Sequence, residues 1–109
     1  NNSYPPYNIV KSDNNYTITL AIAGFSKDEV DISIQENELV VKGAIKNNQE
    51  NIEFLHKGIA GRNFERKFRL ADTIKVTDAN YENGLLHIFL EREIPEHQKP
   101  RKISISSKN

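Results

Sequence analysis

Residues 16–22 read Tyr16-Thr17-Ile18-Thr19-Leu20-Ala21-Ile22, with large apolar side chains alternating with small or polar ones. A period of two sends successive side chains to opposite faces of an extended chain, so this stretch predicts a half-buried strand of an antiparallel sheet. The alternation returns downstream, where Val30, Ile32 and Ile34 alternate with Asp31, Ser33 and Gln35. Leu39, Val40 and Val41 form a short apolar strand after the turn-forming pair Glu36-Asn37, and Phe64, Phe68 and Leu70 share a face across residues 63–70. Two further strands are expected at residues 73–77, carrying Ile74 and Val76, and at residues 85–91. In the latter, Leu86, Ile88 and Leu90 lie opposite Leu85, His87 and Phe89, and two apolar faces mark a central strand. Asp13-Asn14-Asn15 and Asn83-Gly84 supply residues that tolerate positive φ between strands. Helix is nearly absent: Ser26-Lys27-Asp28-Glu29 has the spacing of a capping box and predicts about one turn. The set predicts an all-β protein, an immunoglobulin-like antiparallel β-sandwich.

A chain of 109 residues accommodates one such domain plus tails. Lys and Arg number 15 and so do Asp and Glu, so the chain has no net field to steer it to nucleic acid or to a membrane surface. The absence of cysteine excludes a disulfide framework, a thiolate zinc site and thiol catalysis, and it fits a reducing cytoplasm. No apolar run approaches the ~18 residues of a membrane span, and no charged-then-apolar leader opens the chain. Residue 1 is Asn rather than Met, as in a product trimmed from a longer chain.

Two segments do not fit a closed sandwich. Residues 44–60 exceed the ~12–15 residues of an ordinary loop. They are polar at 46–51 but apolar at Ile52, Phe54 and Leu55, as a small strand that pairs elsewhere would be. The tail from residue 94 holds Pro95 and Pro100, which forbid regular pairing between them. Beyond it Ile103-Ser104-Ile105 sits among polar residues and reads as an anchor, two side chains aimed at one surface. Arg66 falls in line with Phe64 and Phe68, placing a charge on an apolar face that calls for an acid or another acceptor. His56, His87 and His97 lack metal-ligand spacing, no glycine run precedes a helix to cradle phosphate, and Asp28-Glu29 lies in an expected exposed turn. The chain therefore reads as a non-enzyme without cofactor or metal.

These residues assemble into a pattern that resembles the α-crystallin domain of small heat-shock proteins, most closely the bacterial inclusion-body-binding type. Ala79-Asn80-Tyr81-Glu82-Asn83-Gly84-Leu85-Leu86 is similar to the family's A-x-x-x-N-G-x-L signature, and Ile103-Ser104-Ile105 to its C-terminal I-x-I/V motif. Tyr4-Pro5-Pro6-Tyr7-Asn8, Ala23-Gly24-Phe25 and Arg62-Asn63-Phe64-Glu65-Arg66-Lys67-Phe68 match other strands of the bacterial members. The resemblance implies an α-crystallin-type sandwich over residues 1–93 and a C-terminal extension over 94–109. It implies a homodimer in which residues 52–55 of one copy, with Ile52, Phe54 and Leu55, meet residues 7–10 of the other, with Tyr7 and Ile9, and it favours an ion pair of Arg66 near that interface. It further implies that Ile103 and Ile105 enter a groove of another dimer where Ile32 and Ile34 face Ile74 and Val76, building larger homo-oligomers. The implied activity is ATP-independent holding of non-native client proteins, later passed to ATP-driven chaperones, aided by an apolar arm upstream.

Plainer readings stand beside these. Ile103 and Ile105 also read as part of a frayed end, residues 44–60 as a disordered loop, the four groove residues as ordinary core, and Arg66 as a solvated edge. A functional alternative is a monomeric β-sandwich adaptor or co-chaperone domain that binds one partner through an edge strand, with no role for the tail.

Overall fold

A computed structural model of the chain describes residues 4–46, 51–58, 62–95 and 99–107. Among these residues the chain forms seven strands: β1 (Tyr7–Ser12), β2 (Asn15–Ala21), β3 (Val30–Gln35), β4 (Glu38–Gly43), β5 (Phe64–Arg69), β6 (Ile74–Glu82) and β7 (Leu85–Arg92). A single 3-10 turn, Lys27–Glu29, precedes β3. The strands make a four-stranded sheet in the order β1-β2-β7-β6 and a three-stranded sheet in the order β3-β4-β5, every pairing antiparallel.

The opening stretch lies where its alternation requires. Ile18, Leu20 and Ile22 are buried, and across the β2/β7 pairing Ile18 faces Ile88 and Leu20 faces Leu86. Leu39 and Val41 of β4 complete the layer from the other sheet, with Phe25 and Leu90. Burying one such side chain is worth about 1.5–3 kcal/mol, so these interdigitated aliphatics are the main cohesive term in a chain without cysteine. β7 is central as expected, flanked by β2 and β6.

The hairpins turn at the residues singled out for it. Asn83 (φ 54) and Gly84 (φ 78) both adopt the left-handed conformation of a two-residue turn between β6 and β7. A Cβ on Gly84 would sit 2.9 Å from the Ala23 Cβ, so the close approach of the 22–24 corner also requires glycine there. Asp13 (φ 55) and Glu36 (φ 59) begin the other two tight turns. Asn15 already belongs to β2.

Two expectations need correction. The strand expected at residues 73–77 runs on to Glu82, so much of the Ala79–Leu86 signature is strand rather than connection. The register of β6 against β7 shifts between Val76 and Asp78. That extra residue breaks the period of two and hides the second half of the strand from an alternation argument. Glu29, expected in an exposed turn, is buried at 8% relative exposure because the chain returning after β4 folds over it. Residues 51–58 form no strand within the chain, and Ile52, Phe54 and Leu55 are exposed. Residues 47–50 and 59–60 of the long loop, Gly61, 96–98 of the tail with His97, and 108–109 lie outside the described residues.

Candidate functional site

The candidate functional surfaces are sheet edges, a loop and a tail. β1 and β6 are the edges of the larger sheet, and β3 and β5 those of the smaller. An edge strand leaves backbone N–H and C=O groups without partners and so offers a template for another strand.

On β1, Tyr7 is 43%, Ile9 55% and Val10 59% exposed, a half-apolar edge. Beside it lies Arg66 of β5, whose inward-pointing charge meets no acid among the described residues. Its Nη2 donates to the Pro5 carbonyl at 3.1 Å and its guanidinium stands 4.8 Å from the centre of the Tyr7 ring. Its Nε is buried and finds no acceptor among the described residues. The acceptor anticipated from sequence is therefore a backbone carbonyl and an aromatic face within the same chain. Tyr7 also packs edge-on against Phe68, so Arg66 and Phe68 of β5 hold β1 over the smaller sheet.

The long loop leaves through a fixed neck. Ile45 N donates to Asn63 Oδ1 at 3.0 Å, closing the two stems on each other. Glu29 fastens the first stem to the 3-10 turn: its carboxylate accepts from Ser26 N at 2.8 Å and from Lys46 N at 2.7 Å, and its own carbonyl accepts from Ala44 N. The backbone N–H groups of Ser26 and Lys46 hold the Glu29 carboxyl below its ordinary range, outweighing the opposing effect of burial. The Ser26 hydroxyl turns to the Asp28 carboxylate at 2.6 Å and lowers its pKa. Beneath this corner Tyr81 donates to the carbonyls of Ile22 and Phe25, at 2.9 and 2.7 Å, and burial followed by the nearby Glu29 charge raises its pKa. The Ser26–Glu29 bond follows the capping-box spacing, but neither the Lys46 bond nor the Tyr81 clasp follows from local sequence, since those groups lie far apart along the chain.

The expected groove residues divide. Ile32 lines a concavity between β3 and β6 with Val30, Ala79, Tyr81 and Leu86. Ile74 lines a different and larger cleft with Phe68, Leu70 and Leu90, while Ile34 and Val76 line neither. Ile34 is 50% exposed, whereas Ile32, Ile74 and Val76 are half-buried against the core. The Tyr81 end of β6 is tied to Phe25, just before β3 begins, so the two edges run in opposite directions. In the tail, Ile103 and Ile105 are 77% and 96% exposed and touch no core residue. Among the described residues no three His, Asp or Glu side chains converge as metal ligands would, and no helix is long and apolar enough to cross a membrane.

An antiparallel two-sheet sandwich with a stemmed loop and an extended I-x-I tail defines an α-crystallin-type domain. The Hsp20/alpha crystallin family matches over residues 8–106, and the chain belongs to that family, the small heat-shock proteins, a class of chaperones. It is 53% identical over 107 residues to small heat shock protein IbpA of Escherichia coli K12, covering 97% of this chain and 78% of that protein. Among solved structures, a small heat-shock protein of Synechococcus phage S-ShM2 superposes with TM-score 0.73 at 37% identity, over 94% of this chain and 99% of that one. Small heat shock protein AgsA of Salmonella typhimurium, in a C-terminally truncated form, gives 0.74 at 33% identity, over 93% and 98% of the two chains.

Proposed function

We propose that this protein is a cytoplasmic, ATP-independent holdase: it binds non-native proteins, suppresses their aggregation, and releases them to ATP-driven chaperones. The sandwich of residues 1–93 is its building block and residues 94–109 its connector. The observation that carries the reading is the set of apolar side chains left outside the core: Ile52, Phe54 and Leu55 on the loop, Ile103 and Ile105 on the tail, Tyr7, Ile9 and Ile34 on edge strands. Such groups gain by burial against another copy or an unfolded chain.

Dimers form when Ile52, Phe54 and Leu55 of one copy lie along Tyr7 and Ile9 of β1 in the other, next to Arg66. The orphaned Arg66 Nε beside that edge supports the assignment, since docking chain brings an acceptor within reach. Larger assemblies form when Ile103 and Ile105 enter the groove between β3 and β6. Because these edges run in opposite directions, a line from Ile32 opposite Ala79 continues by twos towards Ile34 and Val76, and Ile74 extends it. Mixing the protein with a heat-labile enzyme, without nucleotide, is expected to reduce light scattering on heating once it is at least stoichiometric. Scattering no lower than with an unrelated β-sandwich protein would end the holdase reading.

A further inference from the structure

The larger cleft has a chemistry of its own. It measures about 510 Å³ and has an apolar floor that includes Ile9, Phe68, Leu70, Ile74 and Leu90. Lys67, Arg69 and Arg92 also line it, all three exposed. The ion pairs among the described residues are Lys42–Glu65 and Lys46–Asp28, so none of these three cations is paired. Glu38 lies across from Arg69 in the β4/β5 register without forming an ion pair with it. The cleft also lies between two open edges, since β1 has only β2 beside it and β5 only β4.

We propose that this cleft is a second binding site, distinct from the tail groove, that takes extended segments of non-native chains in which acidic residues flank an apolar one. The proposal rests on the holdase reading for the source of such segments. An extended segment along β5 finds unpaired backbone groups on the strand and an apolar floor for alternate side chains. Lys67 and Arg69, two residues apart, meet acids at the same spacing. Cations on an edge strand repel basic strands and lose hydration without compensation against neutral ones, so the edge is selective rather than adhesive. The protein's own tail is sorted away by charge: residues 99–109 carry Lys99, Arg101, Lys102 and Lys108 and no acid. The exchanged loop of a second copy is the competing occupant, because Glu50 and Glu53 surround Ile52. In the dimer proposed above that loop lies along β1 and covers Ile9, and the floor left beside β5 is Phe68, Leu70, Ile74 and Leu90.

The test uses two labelled ten-residue peptides, one alternating glutamate with valine and one alternating lysine with valine, titrated with the protein and followed by fluorescence anisotropy. The acidic peptide is expected to bind about tenfold more tightly at low salt, and Lys67→Glu with Arg69→Glu to reverse the order. Far-ultraviolet circular dichroism checks the fold. Should the reversal variant be unfolded, Lys67→Ser with Arg69→Ser is expected to erase the difference. Equal binding of the two peptides, or a preference untouched by these substitutions, overturns the proposal. So does peptide binding that appears only after residues 47–55 are removed, which assigns the cleft to the loop of a second copy. Aggregation suppression by the unmodified protein, measured in parallel, separates this outcome from failure of the holdase reading.

Discussion

Glu29 ties three parts of the chain together with one carboxylate: the turn before β3 through Ser26, the loop stem through Lys46, and the Tyr81 corner through its field. A carboxylate whose folded pKa lies below its ordinary value of 4.5 stabilises the fold above that value and ceases to do so as pH falls through the folded pKa. Glu29→Gln keeps the shape but removes the charge that both N–H groups address. It is therefore expected to melt at a lower temperature than the unmodified protein at pH 7, with the gap closing as pH is lowered from about 4.5. Thermal melts of the two proteins from pH 7 to pH 3 decide this, and a gap constant across that range would remove the carboxylate from the account. The capping spacing of Ser26 and Glu29 was legible in sequence. The burial of Glu29 was not, because the group that covers it arrives from residue 46. Arg66 was legible as a conflict of charge and pattern, but its resolution by Pro5 and Tyr7 depends on how β1 crosses the smaller sheet.

Among the elements, β2, β3 and β7 were readable from their alternation, and β4 from the apolar run Leu39, Val40 and Val41, all three buried. β1 was readable only through family resemblance: all six of its residues are exposed, so it carries no burial pattern. β6 was half readable because its bulge changes parity midway. Ala79 and Tyr81, rather than Ile74, share the β3/β6 concavity with Ile32. The long loop is separable from the sandwich in physical terms. The bond from Ile45 to Asn63 holds its stems together, and Ile52, Phe54 and Leu55 contribute nothing to the core. Removing residues 47–55 with a short closing turn changes loop-closure entropy by only about 1 kcal/mol. The variant is expected to fold and to sediment as a monomer. A dimer at equilibrium would show that the exchange strand is not what joins the subunits.

At the scale of the whole molecule, the tail is the connector to test. Ile103 and Ile105 are almost fully exposed, so each has most of a burial gain of about 1.5–3 kcal/mol still to realise, less the cost of ordering the segment. One contact of that strength is reversible, and many around a closed assembly are not. Ile103→Ser with Ile105→Ser is expected to leave the fold and the dimer intact and to shift larger assemblies to dimers. Size exclusion coupled to light scattering reads the shift, and an unchanged mass distribution would rule the tail out as anchor. The sheet connectivity carries a consequence for how the chain is made. The smaller sheet is built from strands consecutive in sequence and is complete once Arg69 exists, whereas β2 pairs only with β1 until β7 arrives, Asn15 meeting Glu91. On the ribosome, Ile18, Leu20 and Ile22 therefore wait uncovered by β7 until nearly the last strand residue has been added. For most of its own birth the protein is a sticky, unfinished chain of the kind it is proposed to shield.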